Sequence, residues 1–282
     1  MSSKLLLEGR AGAEVGKLLV TEIKNILHTL QSEGRHVSAI GIAVPGAVDN
    51  GIVWAPAIPG WEAYPLLTAL QQAAGNVPVV LESDRTCYIV GEHWMGNARH
   101  CSEVIFLSVG TGIGAGILVN GRVLKGIRDI GGAVGWMTMP PGAYTNPTAV
   151  LLEQYASGSG MPLLAARIEQ ALQPEAPAKS WSAGALLQSY DSDPVAKAAI
   201  DQCIQWWGMA VANLVSIFNP EKIILGGGVF GPAARFIPDI QKEAGKWVQP
   251  LSGKIYRIES SRLGELAGVY GAAKAALEKL MP

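Results

Sequence analysis

The first regular pattern runs from Val15 to Leu30, where Val15, Leu18, Leu19, Ile23, Ile26, Leu27 and Leu30 alternate with Lys17, Glu22, Lys24 and Asn25. Apolar positions three and four apart fall on one side of a helix, so the segment predicts an amphipathic helix closed by Gly34. The period then changes. SAIGIAVPG, ending at Pro45-Gly46, reads as a buried strand, VPVVLESD (77–84) as a second strand ending in polar residues, and 84–95 as a helix. EVIFLSVG and GAGILVNG predict two strands around a glycine turn, with Asn120-Gly121 as a hairpin turn behind them. In the mostly helical region that follows, the longest helix starts at Ser192-Asp193-Pro194, with proline at its first position. EKIILGGG is a buried strand meeting a second glycine turn, KIYRIES a later strand and ELAGVYGAAKAALEKL a C-terminal helix. Strands and helices alternating over short connections predict an α/β fold with a mixed or parallel sheet.

A length of 282 residues exceeds one typical domain and suits two lobes, with the boundary near 97–102, after the Gly96-Asn97 break. The 22 basic and 23 acidic residues give a net charge of -1, so no global field favours nucleic acid or an anionic membrane. Cys87, Cys101 and Cys203 are scattered and form no CxxC pair, which fits a reducing, cytoplasmic setting. The apolar run before Glu8 is too short for a signal-peptide core, and no stretch of about 18 apolar residues predicts a membrane span.

The chemistry starts at Gly110-Thr111-Gly112-Ile113-Gly114-Ala115-Gly116. A dinucleotide fingerprint needs a helix opening at the loop, whereas the β-rich ILVNGRVL follows here, which argues against an NAD-binding enzyme. Two readings stay open. The turn is either a bare backbone that lets amides and the Thr111 hydroxyl approach a phosphate, or a tight hairpin that binds nothing. NPEKIILGGGVFG places Gly226, Gly227 and Gly228 at the end of a buried strand, where a flat ring such as adenine could lie against backbone. Two such loops in one chain point to a nucleotide.

GIAVPGAVDNGIVWAPAIPGW, ESDRTCYIVGE, SVGTGIGAGI, LLEQYASG, NPEKIILGGGVF and GVYGAAKAAL resemble, in order and spacing, the segments of the ROK family of bacterial sugar kinases, glucokinases and sugar-responsive repressors. The likeness covers about residues 37 to 277. It implies an actin-like, hexokinase-like (ribonuclease H-like) fold of two α/β lobes, with sugar and ATP in an interlobe cleft. Residues 1–98 would form a sugar-side lobe truncated at its start, 99–264 the nucleotide-side lobe, and 265–282 a helix returning to the first. The implied reaction moves the γ-phosphoryl group of Mg-ATP to a hydroxyl of a hexose or an N-acetylated amino sugar. Gly110, Thr111, Gly112 and Gly114 would touch the phosphates, and Gly226, Gly227 and Gly228 would border the adenosine. Asp84 matches the family's catalytic aspartate, which accepts the hydroxyl proton; read without the resemblance, it is an N-cap residue. Gly46, Ser83, Asp84, Glu153 and Trp136 are the candidate substrate contacts, Glu153 matching the glutamate before YASG.

The chain departs from the family pattern at several places. Ser83 stands where the family has a sugar-contacting asparagine, as does Ala57; Ala133 replaces a glutamate and Trp136 a histidine. An indole can only donate, so Trp136 would either stack on a ligand or fill core space left by the family's zinc loop. Residues 137–151 contain no cysteine or histidine, so no structural zinc is expected, and Pro140, Pro141 and Pro147 would stiffen the segment instead. The family's opening Asp-x-Gly-Gly-Thr phosphate turn has no counterpart before residue 37. A sheet without its first strands leaves an edge to be covered, so a homo-oligomer, a dimer, is expected. These features leave two expectations: an ATP-dependent sugar kinase, its activity intact or impaired, or an inactive relative that binds sugar or nucleotide as a sensor or partner subunit.

Overall fold

The computed structural model describes residues 7–145, 150–172, 174, 175 and 179–281. In chain order, α1 (Gly12–Ser32) leads to β1 (Ile40–Val44), β2 (Ala47–Asp49), β3 (Ile52–Trp54), α2 (Leu66–Ala74), β4 (Val79–Ser83) and α3 (Asp84–Met95). Next come β5 (Val104–Val109), β6 (Ile113–Val119), β7 (Arg122–Val123), β8 (Thr138–Met139), β9 (Val150–Leu151), α4 (Leu152–Ala156), α5 (Met161–Leu172) and α6 (Ala183–Ser189). The chain closes with α7 (Pro194–Phe218), β10 (Lys222–Gly226), α8 (Ile237–Ala244), β11 (Arg257–Ser260) and α9 (Ala267–Leu280). Two compact units result. One holds residues 1–94, 125–130 and 267–282; the other holds 95–124 and 131–266.

In the first unit β1 and β4 pair in parallel, with Val44 opposite Ser83, so the turn after β1 and the start of α3 emerge at the same end. Val44, Val53, Leu66, Leu70 and Leu81 form its core with Trp61, whose indole donates to the Gly12 carbonyl at 2.9 Å and stacks on Tyr64 at 4.8 Å. Trp61 is therefore a structural residue. Helix α9 packs on β1 and β4 and meets α3 through bare backbone: a methyl on Gly41 in β1 would overlap the Ala272 carbonyl, and one on Gly271 the Cys87 carbonyl of α3.

The second unit is built on a sheet in the order β11-β10-β5-β6-β7, with β11, β10 and β5 parallel, β6 antiparallel to β5 and β7 antiparallel to β6. The Asn120-Gly121 turn forms as its sequence requires, both residues having positive φ (52° and 70°). The Asp193 carboxylate caps α7 by accepting from the Val195 and Ala196 amides at 2.8 and 3.1 Å, with Pro194 behind it. This helix is buried along most of its length. Its Trp207 donates to the Ala156 carbonyl and Trp206 to the Pro140 carbonyl, each at 3.0 Å, which fixes the end of α4 and the residue that follows β8. Truncating a buried aromatic of this size costs about 3–5 kcal/mol, so these two indoles hold the site's supports firmly.

Candidate functional site

The first unit gathers its chemistry where β1 and β4 end. Asp84 opens α3; its Oδ1 accepts from the Arg85 amide at 2.8 Å and its Oδ2 from the Tyr88 hydroxyl at 3.3 Å. Burial raises this carboxyl above its ordinary value, Arg85 and the Tyr88 hydrogen bond act against the rise, and Asp129 adds to it. The result is a more basic carboxylate than an exposed one, which is what a proton acceptor requires. Ser83 is buried beside it. Gly46 lies across the strand pair with φ 89°, and a methyl there would overlap the Trp54 carbonyl, so the turn into β2 needs glycine. Gly46, Ser83 and Asp84 thus come together.

Two further residues of this cluster carried no sequence signal. The Asp129 carboxylate accepts from the Val48 amide at 3.2 Å, and burial raises it as well. Arg85 donates to the Asp129 carbonyl at 2.9 Å, to the Gly46 carbonyl at 3.3 Å and to the Ser83 hydroxyl at 3.4 Å. The Cys87 thiol, one turn along α3, is pushed up to about 12, first by burial and then by Glu82 and Asp84. It stays protonated and takes no part as a nucleophile.

In the second unit both glycine turns reach one cavity of about 370 Å³, lined among others by Gly110, Thr111, Gly158, Ser159, Gly184 and Gly228. That volume falls within the range of small-molecule sites. The β5–β6 turn is closed by the Gly110 amide on the Gly112 carbonyl at 2.9 Å. From the loop after α4, the Gly158 amide donates to the Gly110 carbonyl at 2.7 Å and the Ser159 hydroxyl to the Thr111 carbonyl at 2.6 Å. The turn is therefore held from outside, and its backbone faces a glycine-lined space.

The remaining predicted nucleotide residues sit differently. Gly114 lies within β6 opposite Ser108. Gly226 packs under the Phe106 ring, and Gly227 makes the turn with φ 87° against the Val109 carbonyl, leaving Gly228 as the member of the triplet that lines the cavity. Gly112 faces the Glu153 carboxylate, whose Oε2 accepts from the Ile113 amide at 2.6 Å. Glu153 is thus anchored to the turn rather than being a free helix carboxylate.

The family model described as ROK family matches residues 8–279. The chain belongs to the ROK family. It is 30% identical over 275 residues to a glucokinase of Halalkalibacterium halodurans, covering 91% of this chain and 82% of that one. A ROK hexokinase from Thermus thermophilus superposes with a TM-score of 0.74 at 29% identity, covering 96% of this chain and 88% of that one. A ROK family glucokinase from Streptomyces griseus, solved in complex with glucose and AMPPNP, gives 0.73 at 27% identity, covering 91% and 87%. The α/β, hexokinase-like fold expected of a ROK protein is the one observed.

Where this ROK chain departs from the family pattern, the local structure is equally specific. Trp136 ends a single turn at Val134–Trp136 and is 64% exposed, so it does not fill core space as one reading of the sequence supposed. Ala133 precedes it as the N-cap. The segment without zinc ligands makes the short β8–β9 pairing, with Thr138 opposite Leu151. Pro147 lies outside the described residues. Among the described residues, no group of three or more His, Cys, Asp or Glu is arranged to hold a metal, and no helix is long and apolar enough to cross a membrane.

Proposed function

We propose that this ROK protein transfers the γ-phosphoryl group of ATP to a hydroxyl of a hexose or an N-acetylated amino sugar. The observation that carries the reading is Asp84, a half-buried carboxylate of raised basicity at a strand end, next to Gly46 and the buried Ser83. The sugar hydroxyl gives its proton to the Asp84 carboxylate, its oxygen bonds to the γ-phosphorus, and the bond to the bridging oxygen breaks to release ADP. Asp84 is the catalytic base, and Gly46, Ser83, Glu153 and Trp136 are the proposed substrate contacts. Magnesium enters with the nucleotide as Mg-ATP, since the family's reaction uses that complex as co-substrate.

On the donor side, the glycine-lined cavity suits a nucleotide: Gly110, Thr111, Gly158 and Gly228 offer close backbone approach, and Ser159 and Thr111 offer hydroxyls. ATP as the donor draws support from the Streptomyces griseus relative's complex with glucose and AMPPNP. The idea of an impaired or inactive relative draws none from the comparisons, which include the glucokinase and the hexokinase. Three free, buried cysteines suit a reducing compartment, which supports the cytoplasm as its location. Exposed Ile217, Trp247 and Leu251 support a homodimer, which light scattering on the purified chain tests.

The deciding experiment incubates the chain with Mg-ATP and a pool of hexoses and N-acetylated amino sugars and weighs the products by mass spectrometry. A sugar phosphate should form and fall by about 10²- to 10⁴-fold in Asp84→Asn, the usual worth of a general base. No product from any sugar would sink the kinase reading.

A further inference from the structure

Arg85 is the second residue of α3, yet its side chain reaches back over the ends of β1 and β4. Its Nε donates to the Ser83 hydroxyl and its Nη2 to two carbonyls, those of Gly46 and Asp129. These three acceptors come from three separate stretches of chain. Both accepting carbonyls belong to residues with positive φ, 89° at Gly46 and 57° at Asp129, and Arg128 before the latter has φ 55°. Two successive non-glycine residues in the left-handed region persist only where the surroundings over-determine them. Here the Arg85 bond to the Asp129 carbonyl and the Val48 amide on the Asp129 carboxylate supply that constraint.

We propose that Arg85 is a positioning residue: its guanidinium ties the Gly46 turn, Ser83 and the strained Arg128-Asp129 segment into one floor beside the Asp84 carboxylate. The inference rests on the reading of Asp84 as the base. A planar fork with fixed donors serves three acceptors of this kind, whereas a lysine ammonium on its flexible four-carbon stem is a single point of attachment. The guanidinium also sets the local charge. The groups facing Asp84 are Arg85, Tyr88 and Asp129; around Asp129 lie Val48, Lys125, Glu82 and Arg85, with the Glu82 carboxylate paired to Lys125 at 2.7 Å. Cys87, raised and protonated, adds no charge. Without Arg85 the Asp84 carboxylate loses its cationic neighbour, Asp129 keeps Lys125, and Asp84 holds its proton to higher pH.

The test compares wild type, Arg85→Lys and Arg85→Gln by thermal melting, by kcat and KM over pH, and by carbon NMR titration of the Asp84 carboxyl. Arg85→Gln should still melt cooperatively. Its kcat should fall about 10²-fold, the loss that a misplacement of about 1 Å brings, and the acid limb of its profile should move to higher pH together with the NMR titration of Asp84. Arg85→Lys keeps the charge without the fork, so its limb should stay near the wild-type position while kcat remains low. A folded Arg85→Gln with wild-type kcat overturns the inference, as does an Asp84 titration unmoved in that variant. If wild type itself phosphorylates no sugar, the kinase reading falls separately, and the Asp84 titration alone decides whether Arg85 governs this carboxylate.

Discussion

Alanine at Gly227 and alanine at Gly228 should behave as opposites, although the two residues are adjacent and both belong to the second glycine turn. Gly227 has φ 87°, and a Cβ there would lie 2.5 Å from the Val109 carbonyl oxygen and 2.7 Å from its carbon. Left-handed backbone costs an L-residue about 1–2 kcal/mol, and pushing packed backbone aside costs about 1–3 kcal/mol more, a total of roughly 2–5 kcal/mol. The backbone cannot yield easily, because the Val109 carbonyl also accepts from the Val229 amide at 3.0 Å and the Gly227 carbonyl from the Phe230 amide at 3.0 Å. At about 2–4 °C per kcal/mol, Gly227→Ala should melt roughly 4–20 °C below wild type. Gly228, with no atom within 4 Å of its would-be Cβ and no positive φ, should tolerate alanine within about 0.5 kcal/mol. Its methyl enters the cavity, however, so Gly228→Ala should melt normally and bind ATP more weakly. Differential scanning calorimetry and isothermal titration with ATP separate the two effects. A Gly227→Ala protein that melts with wild type, or a Gly228→Ala protein that binds ATP unchanged while losing stability, would refute the assignment of strain to one glycine and ligand approach to the other.

Three more outcomes follow from the same geometry. The folded Asp84 carboxyl lies above its ordinary 3.8, so the native state binds a proton that the unfolded chain has released, and stability falls as pH rises from that value through the raised one. Urea melts at a series of pH values rising from 3.8 should show this slope, and Asp84→Asn should flatten it in part, leaving the contribution of Asp129, which has the same sign. Glu153→Ala leaves the Ile113 amide without its carboxylate acceptor, at a cost of about 1.5–3 kcal/mol, and should loosen the glycine turn enough to weaken ATP binding in the same titration. Gly271→Ala drives a methyl into the Cys87 carbonyl and should destabilise the first unit by about 1–3 kcal/mol, with faster amide exchange along α9 as the local readout.

What the sequence determined by itself was whatever depends on neighbours along the chain. Hydrophobic periodicity and caps placed α3 at 84–95 and the start of α7 behind Asp193, and the β-rich run after Gly116 identified a hairpin rather than a dinucleotide fold. Ordered glycine motifs carried the family likeness. Asp84 was singled out through that likeness, because a carboxylate at a strand end and the head of a helix reads by itself as a cap. Arg85, one residue further, had no such signal, since its acceptors lie 39 and 44 positions away at Gly46 and Asp129. The anchoring of Glu153 on the Ile113 amide spans 40 positions, and it took the folded chain to bring it about. The same holds for the glycine triplet, which the sequence treats as equivalent. Packing alone gave Gly226 to Phe106, Gly227 to the turn and Gly228 to the cavity, because what a missing Cβ permits depends on which atoms the tertiary structure sets opposite it.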